Sequence, residues 1–187
     1  MGRGPEWLPR RAGPALLRRL EAADLAPFCA YRGDAEVARY QGWSPMAPDE
    51  ALRFIEQMAS AELLIPGAWA QLAIARADGD GLVGDIGLHV HADGETAEVG
   101  VTVAPSDQGR GYGSAAVAAA ISLLFDHTAV SRVLGITDRR NRPSVRLLER
   151  VGMRRAETRR TVFKGEPCTE WVHAVSRGGW PAPLARR

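Results

Sequence analysis

The sequence predicts one α+β domain built on a mixed, mostly antiparallel sheet. Two observations carry that prediction. Residues 68–105, "AWAQLAIARADGDGLVGDIGLHVHADGETAEVGVTVAP", hold three extended runs separated by turn signals rich in Asp and Gly. Asp-Gly between alternating runs marks hairpins, so the middle of the chain reads as an antiparallel meander. Residues 111–153 then read helix, strand, helix. That order and spacing imply a parallel strand pair beside the meander. The chain has 187 residues, 45% hydrophobic and 25% charged, which suits one domain with a full core.

Each element has its own signal. "PALLRRL" (14–20) reads as a first strand. Residues 21–40 read as a helix interrupted at Gly33 and Asp34. Residues 44–64 carry a second helix, with Ala51, Phe54, Ile55 and Met58 at helical spacing and Asp49 and Glu50 in its first turn. Strands follow near 68–77, 81–91 and 95–104. A helix over 111–126 puts Val117, Ile121, Leu124 and Phe125 on one face, and its alanines let it lie close to a sheet. "SRVLGIT" (131–137) is a short buried strand. "NRPSVRLLERVGM" (141–153) is a helix with Asn141 as N-cap, Pro143 in the first turn and Gly152 as its stop. Residues 155–163 and 168–175 close the chain as a hairpin. The expectation is therefore about seven strands and four helices over 14–176, with residues 1–13 and 177–187 as loose tails rich in Gly, Pro and Arg.

Composition narrows the function. No apolar run approaches the roughly 20 residues of a membrane helix, and the basic N-terminus lacks a signal-peptide core, so a cytoplasmic location is expected. Cys29 and Cys168 read as reduced thiols, and nothing has metal-ligand spacing, so no metal is expected. A net charge of +2 gives little reason to expect nucleic acid. The densest basic stretch holds Arg139, Arg140, Arg142, Arg146 and Arg150, with Arg142, Arg146 and Arg150 as a stripe spaced by four. A solvated face is its default reading, and no aromatic residues interleave it as an RNA surface would require.

The chemistry-bearing segment is "DQGRGYGSAA" (107–116). Gly109, Gly111 and Gly113 alternate between a strand and a helix. Glycines admit backbone angles closed to other residues and let a ligand approach the main chain. The helix start adds free N–H groups and partial positive charge, so an anion such as pyrophosphate is favoured. No lysine is present for a P-loop. A dinucleotide fingerprint counted from Gly109 fails at Ser114 and lies after a meander rather than in an opening βαβ unit. The pattern that fits is [RQ]-x-x-G-x-[GA], met by Gln108, Gly111 and Gly113.

In this context that pattern resembles the coenzyme A-binding motif of the GNAT family of N-acetyltransferases. "RRLEAADLAPFCAYRGDAEVARYQGW" is similar to the N-terminal region of its branch related to ribosomal-protein N-terminal acetyltransferases (Rim-type). "LVGDIGLHVH" and "AEVGVTVAP" are similar to its central strands, and "NRPSVRLLERVGM" to its N-x-x-[SA]-x-x-L-x-x-x-G-[FM] segment. The likeness covers about residues 15 to 175. It implies the GNAT fold, with acetyl-CoA held in a gap between splayed parallel strands, here those near 95–104 and 131–137. The edge Val101, Thr102 and Val103 would pair with pantetheine, and an N–H there, that of Val103 first, would polarise the thioester carbonyl. Gln108, Gly109, Arg110, Gly111, Tyr112, Gly113 and Ser114 would cradle the pyrophosphate. Asn141 and Ser144 would face the pantetheine, and Arg139, Arg140 or Arg142 the 3′-phosphate.

The reaction implied is direct acetyl transfer to an amine, which must lose a proton before it attacks. Glu98 is the candidate base: on its strand it shares a face with Gly100 and Thr102, opposite Val99, Val101 and Val103. The family's usual tyrosine acid is replaced by Leu148 in this register, as it often is in the Rim-type branch, so Ser144 or solvent would protonate the thiolate. The missing tyrosine also leaves an acyl-CoA-binding sensor as an alternative. The acceptor would be a peptide N-terminus, an aminoglycoside-type molecule or a polyamine. Tyr40 and Trp43 in the loop "RYQGWSP", with Asp85 and His89 on one strand face, are candidates to line its pocket. An acidic, imidazole-lined cleft would suit a cationic acceptor. Monomer and homodimer both fit.

Overall fold

The computed structural model describes residues 7–79 and 81–181. Asp80, within the first turn signal, and the outermost parts of both expected tails lie outside them. Among the described residues, eight strands form one sheet, in the order β1-β2-β3-β4-β5-β6-β8-β7. They are β1 (Arg10–Ala12), β2 (Ala15–Arg18), β3 (Trp69–Arg76), β4 (Leu82–Val90), β5 (Thr96–Val103), β6 (Arg132–Asp138), β7 (Arg154–Phe163) and β8 (Glu166–Ser176). Five α-helices accompany them among the described residues: α1 (Leu25–Arg32), α2 (Ala35–Ala38), α3 (Pro48–Ser60), α4 (Tyr112–His127) and α5 (Arg142–Arg150).

Two expectations are corrected. Residues 10–12 are a strand, not tail, because Gly13 at φ 52° folds them back antiparallel onto β2. The stretch 177–187 is not wholly loose: Trp180 packs on the core and its indole N–H donates to Ser122 Oγ at 3.0 Å. The helix over 21–40 is interrupted at Gly33 and Asp34 as expected, and there the Asp34 carboxylate accepts from the Glu36 N–H and caps α2.

The alternation of β4 sorts its side chains onto two layers. Ile86, Leu88 and Val90 join the main core, which packs on α4. Asp85 and His89 face the other way, toward the side on which α1 and α3 pack Phe28, Tyr31, Ala51 and Ile55 against Ala73. Fully burying each large aliphatic chain contributes roughly 1.5–3 kcal/mol. α4 is apolar around most of its surface because it lies between the sheet and α5.

The feature that positions the site is a break in strand pairing. β5 and β6 run parallel and pair only through Thr96–Glu98 and Arg132–Leu134. Beyond that point β5 stays with β4 as far as Val103, and β6 stays with β8 as far as Asp138. A wedge opens between them. Gly84 helps hold β5 to the β4 side: a Cβ there would lie 2.2 Å from the Thr102 carbonyl oxygen, so only glycine allows the approach.

Candidate active site

A cleft of about 690 Å³ runs from the wedge onto the start of α4. Its walls include Val101, Thr102, Val103, Gln108, Gly109, Gly111, Tyr112, Gly113, Ser114, Asn141 and Ser144. These are the expected donor-site positions, gathered in one place with the exception of Arg110. The Arg110 side chain is 63% exposed, stands 3.9 Å from Asp107 and is not part of the lining.

The three glycines have separate physical reasons. Gly109 and Gly111 have φ of 76° and 87°, in the left-handed region. Gly113 has ordinary helical angles but no room, since a Cβ would meet Leu147 Cδ1 at 2.7 Å. Together they bring the main chain to the surface where α4 begins, and the Ala115 N–H is the first to bond back, to the Gly111 carbonyl at 3.0 Å. The N–H groups of Tyr112, Gly113 and Ser114 precede it, so they open onto the cleft as an anion-binding end. Asn141 caps α5 as expected, accepting from the Ser144 N–H at 3.3 Å, and Gly152 at φ 91° ends that helix.

The open edge of β5 is explicit. Gln108 Nε2 donates to the Val103 carbonyl at 3.0 Å, and Gln41 Nε2 donates to the Val101 carbonyl at 3.4 Å. Ala104 N–H, by contrast, donates back to Val83 on β4. In a ladder the N–H and C=O of one residue point the same way, so Val101 and Val103 also turn their N–H groups into the wedge. Gln108 thus braces the turn from the strand side. Gln41 is an edge contact that the linear pattern did not single out.

Arg146 and Arg150 line the cleft with Arg140, whereas Arg142 lies 5.9 Å from the Trp171 ring and Arg139 stays outside the lining. The spacing of four was visible in sequence. That α5 turns Arg146 and Arg150 toward the cleft was not, because it depends on Leu148 seating against Gly135, with Cδ2 2.6 Å from where a Cβ at Gly135 would be. Leu148 is 3% exposed, so the position of the usual acid is a core contact here.

The expected acceptor residues divide. Tyr40 lines the cleft. Trp43 does not; it lies under the Arg32 guanidinium, 4.3 Å from the ring centroid. Asp85 is not available to a substrate. It is 1% exposed and accepts from Tyr31 Oη at 2.6 Å, from Arg32 Nε and Nη2 at 3.0 and 2.7 Å, and from Gln71 Nε2 at 2.5 Å. Burial, then the adjacent Asp85 charge, pushes the Tyr31 hydroxyl well above its ordinary range. His89 is likewise outside the cleft lining, stacked on Trp69 with centroids 4.9 Å apart and tilted on His91 at 5.1 Å. The acidic, imidazole-lined cleft is therefore not formed.

Glu98 sits at the apex of the wedge, in the last β5–β6 pair, opposite Leu134 and beside His89. It is half-buried and does not line the cleft itself. Burial raises its carboxyl above the ordinary value, with Glu170 adding and His91 and Arg159 opposing. A carboxylate moved toward neutrality at a strand junction has the character of a proton acceptor. No group of three metal-ligating side chains is found among the described residues, and no helix among them is long and apolar enough to cross a membrane.

Comparison with known proteins agrees with this geometry. The model of an acetyltransferase (GNAT) domain matches residues 15–154. The uncharacterized N-acetyltransferase YnaD of Bacillus subtilis is 25% identical over 167 residues, 88% of this chain and 95% of that protein. Among solved structures, a GNAT-family acetyltransferase from Bacillus anthracis superposes with a TM-score of 0.79 at 23% identity, covering 89% of this chain and 96% of its own. A spermidine N-acetyltransferase from Vibrio cholerae, solved with CoA and spermine, gives 0.75 at 18% identity over 89% and 98% of the two chains. With the splayed parallel pair and the glycine turn both present, the chain belongs to the GNAT acetyltransferase family and is an acyltransferase.

Proposed function

We propose that this enzyme moves the acetyl group of acetyl-CoA to a primary amine by direct attack, in the manner of the family's Rim-type branch. The observation that carries the reading is the wedge that leads from the free edge of Val101 and Val103 to the α4 N-terminus. Strand-edge groups suit the amides of pantetheine, and the helix start with Arg146 and Arg150 suits phosphates. The CoA-bound spermidine acetyltransferase, alike in fold, supports the choice of donor.

In this reading the Val103 N–H polarises the thioester carbonyl. Glu98, through water, takes a proton from the ammonium so that the amine can attack. The N–C bond forms and the C–S bond breaks; the nitrogen gives up its second proton to solvent, and the CoA thiolate receives one from Ser144 or solvent, which leaves the neutral amide and CoA thiol. Acceptors in scope are a peptide N-terminus, a small amine or an aminoglycoside-type molecule, reached past Tyr40.

The test is CoA release from acetyl-CoA over an amine panel, with wild type and Glu98→Gln. Loss of the base is expected to lower kcat about 10²- to 10⁴-fold. The wild-type rate is expected to rise with pH as the raised Glu98 carboxyl ionises. A Glu98→Gln enzyme with unchanged kcat would remove Glu98 from the mechanism. Absence of CoA release with every amine would favour the acyl-CoA sensor.

A further inference from the structure

A second cleft, about 370 Å³, adjoins the first and shares Tyr40 and Arg140 with it. Three cationic side chains reach it from three separate elements: Arg39 at the end of α2, Arg140 after β6, and Lys164 at the tip of the β7–β8 hairpin. One carboxylate, Glu166, stands among them. Phe163 and Pro45 supply apolar wall.

Two of the three donors are held in place. Asp138 takes Nε and Nη2 of Arg140, at 3.1 and 2.7 Å, and leaves Nη1 for another partner. Lys164 is the only lysine in the chain. Its Nζ donates to the Ala38 and Trp43 carbonyls at 2.8 Å each, which ties the hairpin tip to the loop after α2. An ammonium has three N–H donors, so one remains. Arg39 lies over the Tyr40 ring at 5.4 Å and is only loosely paired, 3.7 Å from Glu36. The charge around the cleft balances, since Glu166, Asp138 and Glu36 offset the three cations. What favours an anion is the set of N–H donors the three cations keep unspent, two of them on anchored side chains, around a cleft beside the main one.

We propose that this second cleft receives an anionic group, a carboxylate in the simplest case, carried by the acceptor amine. The inference rests on the main cleft being the donor site. It reverses the cationic acceptor expected from Asp85 and His89, neither of which lines either cleft. It also sets this enzyme apart from a fold relative that acts on spermidine. Glu166 opposes an anionic acceptor and tempers the preference.

The test offers matched acceptors with a free amine, ending in a side-chain carboxylate or the corresponding carboxamide: Ala-Glu against Ala-Gln, both dipeptides as C-terminal amides. Spermidine represents polycations. The readout is kcat/KM for CoA release. Wild type is expected to favour the carboxylate member by about tenfold or more, through KM. Arg39→Gln is expected to reduce that ratio roughly three- to tenfold, and Glu166→Gln to increase it. A ratio near one, a preference for spermidine, a ratio indifferent to both substitutions, or no turnover of any carboxylate acceptor overturns the proposal. Thermal stabilisation by acetyl-CoA, measured alongside, separates the two readings. If it is present and the ratios fail, only the anionic subsite falls; if it is absent, both fall.

Discussion

The donor cleft and the opposite face of the sheet are made of different materials. The donor cleft is largely backbone: strand-edge groups at Val101 and Val103, left-handed glycines at 109 and 111, and the first N–H groups of α4. The face below α1 and α3 is made of side chains already committed to one another, with Asp85 held by Tyr31, Arg32 and Gln71, Trp43 under Arg32, and His89 on Trp69. Backbone sites announce themselves through glycine, proline and capping residues close together in sequence. Side-chain sites depend on partners far away, and a polar residue on a strand face is as well suited to bracing a helix as to meeting a substrate.

Asp85→Asn breaks the comparison hardest. It leaves Arg32, 3% exposed, as a buried charge without its counter-ion, and is expected to cost about 3–5 kcal/mol in denaturant unfolding. If Asp85 is purely a brace, kcat measured below the lowered melting temperature stays near wild type. A kcat that collapses while stability holds would return Asp85 to the site. Gly111→Ala tests the other region. An alanine at φ 87° costs about 1–2 kcal/mol of stability and disturbs the anion turn, so acetyl-CoA affinity should fall. Equal affinity in the variant would show that the turn geometry is not what binds.

The smallest expected effect concerns His173, fully buried on β8 beside Gly135 and 4.0 Å from Glu149 of α5. Burial, with Arg155 adding and Glu149 opposing, holds its imidazole below the ordinary 6.5. A histidine with a lowered folded pKa binds its proton better when unfolded. Its contribution is therefore constant above about pH 6.5 and is lost as pH falls through that value toward the folded pKa. Wild type should lose stability relative to His173→Gln over that window in pH-dependent melting. Parallel curves for the two proteins would contradict the assignment.

Much of the architecture was legible in sequence. The meander, the parallel pair, the Asn141 cap and the Gly152 stop follow from local rules, and each lies where the pattern put it. β1 escaped because three residues beside Gly and Pro carry no periodicity, and only pairing with β2 makes them a strand. The orientation of Arg146 and Arg150 escaped because it is set by Leu148 against Gly135, a contact between helix and sheet. The Asp85 brace escaped because its partners on α1 lie more than 50 residues earlier, with |i−j| of 53 for Arg32 and 54 for Tyr31.

The central claim, that the donor enters the wedge and pairs with the free edge of β5, is tested most directly by amide hydrogen exchange with and without acetyl-CoA, resolved at single residues. The Val101 and Val103 amides, which face the wedge, should gain protection on binding, together with Gly113 and Ser114 at the start of α4. The Thr102 amide, already paired to β4, should change little. Protection that appears only away from the wedge, or on Thr102 and not on its two neighbours, would contradict the account.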